Sequence, residues 1–281
     1  MSQDTNVATV LGAIAREAKT RQNGETLFAD FVIAGYERVT GRDGKERNLP
    51  FYQQVSVIGK EAEEAMKLAV GTPVLAIGSL RERKYEVNGE KKSTTFVKAQ
   101  TLRAVHGIPA ERTVASADGS HFLLQDGYAS VLITCRVTRE VDIAKDFRKT
   151  NDGGTVLNLS AATNDEWKNA DGEKQEHTNW LRLKAWDELA EHFFNLGVTK
   201  GTSLLIRGRI ENGSYEKDGK KVYTADINLG SDLAAALPVG RRAEQASADS
   251  IPSGTVSASR SVSIADVPEL PVFEEEEALP F

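Results

Sequence analysis

The sequence predicts an all-β chain: two five-stranded barrels, each with one short helix between its third and fourth strands, followed by a disordered tail. Three observations carry this. The chain repeats itself, since Gly78 to Gly89 (G-S-L-R-E-R-K-Y-E-V-N-G) aligns with Gly208 to Gly219 (G-R-I-E-N-G-S-Y-E-K-D-G) at a constant offset of 130, with glycine, tyrosine, glutamate and glycine coinciding. Each copy reads strand, strand, strand, short helix, strand, strand. After about Leu237 the composition turns to Ser, Ala, Pro, Gly and Val without period, which cannot bury enough apolar surface to pack.

The elements follow in order. Upstream of the aligned segments, Ala29 to Ala34 matches Val156 to Ala162, and Phe51 to Ile58 followed by G-K-E-A-E-E-A matches Trp180 to Trp186 followed by D-E-L-A-E-H. In the second copy, strands are expected over Ala129 to Thr138, Thr155 to Thr163 and Thr178 to Trp186. Asp187 is placed to N-cap a helix running to about Asn195, with Leu189, Phe193 and Leu196 on its apolar stripe and Gly197 ending it. A strand from Ser203 to Ile210 precedes a hairpin turn at Asp218-Gly219 into Lys221 to Leu229, and Asn88-Gly89 is the counterpart turn in the first copy. This is the order of an OB-fold, a Greek-key barrel whose second and third strands often face an oligonucleotide. The expected boundaries are 1–108 for the first barrel, 109–127 for a connector marked by Pro109, Gly119 and Gly127, 128–237 for the second barrel and 238–281 for the tail.

A chain of 281 residues has room for two such cores. The single cysteine, Cys135, rules out an intramolecular disulfide and points to a reducing compartment. His106, His121, His177 and His192 lack partners at metal-ligand spacing, so neither a metal nor a cofactor is expected. No apolar run nears the roughly 20 residues that span a bilayer, and the start M-S-Q-D-T-N lacks the regions of a signal peptide; a cytoplasmic protein is expected. The net charge of −6 is uneven: from residue 241 onward 3 basic and 8 acidic groups give −5, leaving 32 basic and 33 acidic groups, or −1, in the body. Any polyanion must therefore be held by local patches.

The strongest local signal is Asn179 to Trp186, N-W-L-R-L-K-A-W. Because a strand has period 2, Trp180, Arg182, Lys184 and Trp186 point one way while Leu181, Leu183 and Ala185 point to the core. Rings interleaved with cations suit single-stranded nucleic acid, since rings stack on any base and cations track phosphates. The other reading is a sheet whose outer face is covered by another part of the protein. At the far end, V-F-E-E-E-E-A-L-P-F places an apolar tip after Glu274, Glu275, Glu276 and Glu277. A solvating tail gains nothing from a terminal ring, so Leu279, Pro280 and Phe281 read as a peptide docking into a partner's basic-rimmed pocket.

With those residues in hand, the chain resembles the bacterial single-stranded-DNA-binding proteins, specifically the variant with two OB-folds per chain and an acidic C-terminal tail. The resemblance runs from A-A-T-N-D-E-W, ending at Trp167, through K-N-A-D-G-E-K-Q-E-H-T-N-W to L-R-L-K-A-W, and includes the acidic tip. It implies that Trp167, Trp180, Trp186 and Tyr215 are base-stacking rings. The matching first-barrel positions are Val39, Tyr52, Ile58 and Tyr85, two of which are not aromatic, so the second barrel is expected to bind more tightly. The first would contribute Tyr52, Tyr85, Arg81, Arg83 and Lys84; Tyr36 reads equally well as a contact or as a packed ring. Arg207, Arg209, Lys217, Lys220 and Lys221 are candidates for phosphates, although each alone is more often a solvated cation.

The resemblance further implies a homodimer presenting four OB-folds, sequence-independent binding of single strands in replication, recombination and repair, a nucleoid-associated location, and recruitment of enzymes through the tip. Neither a G-x-x-x-x-G-K loop nor a marked Ser, His, Asp grouping is present, so no enzymatic activity is expected. Two other classes stay open: an OB-fold interaction scaffold without DNA affinity, which binding to single strands would exclude, and a nuclease, which would need clustered carboxylates around a divalent ion.

Overall fold

In this computed structural model the described residues are 5–238 apart from 42–43, 88–89, 117, 151–152, 169–171, 218–219 and 230–234; side chains at 84–92, 167–168, 214–224 and 235–238 are not described. The acidic tip and the rest of 239–281 lie outside the described residues. The first half comprises β1 (Asn6–Ile14), β2 (Lys19–Asn23), β3 (Thr26–Thr40), β4 (Glu46–Ile58), α1 (Lys60–Ala65), β5 (Pro73–Val87) and β6 (Glu90–Ala104). A hairpin of β7 (Thr113–Ala115) and β8 (Phe122–Gln125) leads to the second half. That half holds β9 (Tyr128–Val137), α2 (Ile143–Asp146), β10 (Phe147–Lys149), β11 (Thr155–Lys168), β12 (Lys174–Trp186), α3 (Asp187–Asn195), β13 (Ser203–Lys217), β14 (Lys220–Leu229) and β15 (Ala235–Pro238).

Each half closes into a five-stranded ring. In the first, β1 pairs with β3 and β5, β3 with β4, and β5 with β6, and parallel pairing of Val55 with Val97 joins β4 to β6. In the second, β9 pairs with β11 and β13, and the parallel contact of Leu183 with Ile227 joins β12 to β14. The expected OB-fold order is thus present twice. The strands run longer than their apolar alternation: β11 and β12 stay paired as far as Lys168 opposite Lys174, and β13 and β14 as far as Lys217 opposite Lys220. Those hairpin arms extend past the core, so hydrophobic period stops marking them.

The repeated glycine has a packing cause. A Cβ at Gly78 would collide with the Lys98 carbonyl oxygen, and one at Gly208 would lie 2.5 Å from Ile227 Cγ2 and 2.8 Å from the Asn228 carbonyl oxygen. Both glycines let a strand cross closely over its neighbour where the barrel bends. Asp187 departs from expectation. It does not N-cap α3; it is the first helical residue, in the left-handed region at φ 55°, and its Oδ1 accepts the Thr155 backbone N–H at 3.1 Å. The same corner in the first half is occupied by Gly59 at φ 65°, and the Asx side chain is among the few that tolerate that backbone.

The two barrels form one continuous sheet, because β1 and β9 pair antiparallel from Asn6 opposite Ile133 to Leu11 opposite Tyr128. Buried polar groups fasten the joint. Asp165 meets Arg81 at 3.1 Å and accepts from Asn179 Nδ2 at 2.6 Å, while Asn179 Oδ1 accepts the Glu82 backbone N–H at 3.0 Å. Asn6, held within the first barrel by the carbonyl and amide of Leu80 at 2.9 Å, reaches across to donate to Asp165 Oδ2 at 3.4 Å. On the opposite side Arg209 faces Glu37 at 3.7 Å. On its outer surface this joined sheet shows Val7 beside its ladder partner Leu132, 42% and 41% exposed, with Ile77 nearby at 38%.

The connector is not a loose tether. β8 runs parallel to β3, pairing Leu124 with Gly35, and Leu123 and Leu124 are fully buried. A satellite cluster of Ala15, Val32, Ala34, Tyr52 and Leu123 forms there, with Tyr36 and Val114 packed against it. The Tyr52 hydroxyl is 2.9 Å from His121 Nε2, and His121 Nδ1 is 2.7 Å from Ser120 Oγ. Burial pushes the Tyr52 phenol up to about 12 and holds the His121 imidazole below its ordinary value; Asp118 opposes the latter and Arg16 adds to it. A histidine depressed by folding stabilises the docked hairpin above its free pKa, about 6.5, and that contribution is lost as pH falls through the lower folded value. Amide exchange at Phe122 to Gln125, corrected for intrinsic rate, should therefore be faster at pH 5 than at pH 7; equal protection would show that His121 does not hold the hairpin.

Candidate nucleic-acid interface

β12 behaves as its alternation dictates. Leu181, Leu183 and Ala185 are buried, whereas Trp180 is 52% exposed and Arg182, Lys184 and Trp186 are partly exposed on the same outward face. Arg182, Lys184 and Trp186 line a groove of about 680 Å³ whose floor includes Asn158 and Ser160 of β11. One wall is the β13–β14 arm, through Glu211, Asn212 and Asp226, and the other is the segment between β9 and β11, through Arg139, Lys145 and Arg148. Trp186 donates its Nε1–H to Asn228 Oδ1 at 3.1 Å, which fixes the indole plane at the groove edge.

The matching face of the first barrel is covered. Tyr52 stands opposite Ala34 on the β3–β4 ladder as Trp180 stands opposite Ala162 on the β11–β12 ladder. Yet Tyr52 is 9% exposed, beneath Leu123 and His121 of the connector hairpin. It is a packed ring rather than an accessible stacking platform, and Tyr36 is packed beside it. Arg81 is held by Asp165, and the Arg83 guanidinium lies 4.6 Å over the Phe96 ring. The side chains of Lys84 and Tyr85 lie outside the described residues.

The remaining candidates separate. Arg209 turns into the joint between barrels, its side chain 13% exposed against Glu37, and Arg207 stands exposed opposite Leu132 on the joined sheet, away from the groove. Trp167, Tyr215, Lys217, Lys220 and Lys221 sit on the paired hairpin arms, their side chains outside the described residues. Arg139, Lys145, Arg148 and Asn158, which also line the groove, are not among the residues predicted from the sequence. The signal was present in R-E-V-D-I-A-K-D-F-R-K, a charge-rich insertion between the first and second strands of the second barrel, where OB-folds carry a binding loop. Arg139 is braced by Asp146, at 2.6 and 2.7 Å, and donates to Ser160 Oγ at 3.0 Å; that hydrogen bonding holds the Asp146 carboxyl below its ordinary range. Among the described residues no three His, Cys, Asp or Glu side chains converge to hold a metal ion, and no helix is long and apolar enough to cross a membrane.

The sequence profile of the single-strand binding protein family matches residues 5–105 and 129–231, one match for each barrel. The chain belongs to this family. It is 33% identical over 271 residues to the single-stranded DNA-binding protein of Deinococcus radiodurans, covering 90% of this chain and 87% of that protein. It is 31% identical over 217 residues to the one from Thermus aquaticus, covering 76% and 78%. The fold is also that of the solved wild-type Thermus aquaticus single-stranded DNA binding protein, with a TM-score of 0.62 at 24% identity over 88% of this chain and 98% of that one. Family membership and fold thus agree with the duplicated barrels described above.

Proposed function

We propose that this chain binds single-stranded DNA without regard to sequence, chiefly through the second barrel. The observation that carries this is the outward row of Trp180, Arg182, Lys184 and Trp186 along β12, open to a groove edged by Arg139, Lys145 and Arg148. Bases stack on the rings, phosphates meet the cations, and base identity does not enter. No bond is made or broken; the protein holds strands unpaired during replication, recombination and repair. The names of its relatives support the reading. Trp167, Tyr215, Lys217, Lys220 and Lys221 on the hairpin arms extend the path, while the covered face of the first barrel leaves that barrel the smaller share.

The same reading includes a homodimer of four barrels. It is supported by Val7, Leu132 and Ile77, three large apolar side chains exposed together on the joined β5–β1–β9 sheet, which a second copy would remove from water. Partner enzymes are recruited by the terminal Leu279, Pro280 and Phe281 behind four glutamates.

Oligo(dT) titration of the full chain should quench tryptophan fluorescence, while duplex of equal length competes poorly. Unchanged emission at saturation would overturn the reading, and so would equal affinity for duplex. Removing Ala278 to Phe281 should leave that titration nearly unchanged and abolish capture of replication and repair enzymes.

A further inference from the structure

We propose that Asp226 is a built-in competitor for the nucleic-acid phosphates, holding the two cations of β12 until a strand displaces it. The inference rests on the single-strand reading of the β12 face. Because β14 runs parallel beside β12 with Ile227 level with Leu183, Asp226 reaches both flanking cations at once. Its Oδ1 is 2.9 Å from Arg182 Nε and its Oδ2 is 2.6 Å from Lys184 Nζ. Two oxygens bridging two neighbouring cations is the arrangement a phosphodiester's two free oxygens would adopt in the same place.

The exposures favour an exchangeable contact. The Asp226 side chain is 10% exposed, but Arg182 is 49% and Lys184 32% exposed, so both cations are reachable from the groove while the carboxylate stays below them. Pairs with partners this open add little to folding, which leaves the carboxylate available for another role. Several of the groove's other charges are committed as well: Arg139 to Asp146, Lys145 to Asp142 at 3.0 Å, and Glu211 to Asn228, the acceptor of the Trp186 N–H. A phosphate entering between Arg182 and Lys184 must therefore evict Asp226, whose freed charge takes up a salt cation. Both steps lower affinity and reduce the net counterion release.

The test is the full chain carrying Asp226→Asn, titrated with oligo(dT) across a range of NaCl. It should bind about five- to tenfold more tightly at low salt. The plot of log K against log salt should steepen by about 0.7 for each phosphate newly met by an unshared cation. Asp226→Glu, which keeps the charge, should stay within about twofold of the parent, and thermal melting should confirm that each chain folds. Equal or weaker binding by Asp226→Asn with an unchanged slope would show that the carboxylate only orients Arg182 and Lys184, and would overturn the proposal. Should the asparagine chain not fold, Asp226→Ser takes its place; failure of both would make Asp226 a structural counter-ion and likewise end the idea. A parent that does not bind oligo(dT) sinks the single-strand reading itself, whereas a binding parent with an unresponsive Asp226→Asn sinks only this inference.

Discussion

Trp180→Ala should weaken oligo(dT) binding by about 1–3 kcal/mol, roughly 5- to 150-fold, while melting temperature stays nearly unchanged. The indole is 52% exposed and stands on the outward face of a strand whose inward face is sealed by Leu181 and Leu183, so its loss removes a stacking partner and little core. Tyr52→Phe, at the equivalent ladder position of the first barrel, should show the reverse. Affinity should hold within about twofold, and stability should fall by about 1 kcal/mol as His121 loses the hydroxyl. The two substitutions separate exposure from position. If Tyr52→Phe or Tyr52→Ala impaired binding as strongly as Trp180→Ala in a folded chain, the connector hairpin would not be a cover, and the claimed inequality of the barrels would be lost.

The largest effect on stability is expected at Asp165. Its carboxylate, 12% exposed, sits between Arg81 of the other barrel, 16% exposed, and the buried Asn179 amide. Truncation by Asp165→Ala leaves a guanidinium without one of its acceptors in a poorly hydrated joint. The loss is about 2–4 kcal/mol, below the full figure for a sealed pair because some water reaches the arginine. For a chain this long the melting temperature should drop by roughly 5–12 °C. Glu64→Ala is the control, since the Glu64 pair with Lys67 is 60% and 66% exposed and contributes at most a few tenths of a kcal/mol. Differential scanning calorimetry that found the two substitutions equal would show that the polar joint does not hold the barrels together.

Much of the architecture was legible because it is local. The alternation of Trp180 to Trp186 predicts its two faces, and the aligned glycines at 78 and 208 report a crossing that each barrel must make. What stayed hidden was set by residues distant in sequence. Nothing within F-Y-Q-Q-V-S-V-I tells Tyr52 from an exposed ring; its burial comes from Leu123 and His121, about 70 positions later, in a stretch whose prolines and glycines read as a connector. The run H-F-L-L-Q was the available warning, since three consecutive large apolar residues in a surface linker have to be buried somewhere. Likewise period 2 identifies which way Arg182 and Lys184 point but not that Asp226 lies between them, because the neighbouring strand arrives by barrel closure. An acidic residue before a helix predicts a cap at Asp187, whereas the left-handed backbone that the strand-to-helix corner imposes there leaves no trace in the sequence.

The pairing of β1 with β9 also has a kinetic side. The edge of β1 from Asn6 to Leu11 is synthesised well before its partner, Tyr128 to Ile133, which follows more than a hundred residues later. At about 5–20 residues per second that is a wait of roughly 6–25 s. During it a half-finished chain carries an open strand edge, a template for any other unfinished copy on the same message. The second barrel therefore shields the first from its own siblings.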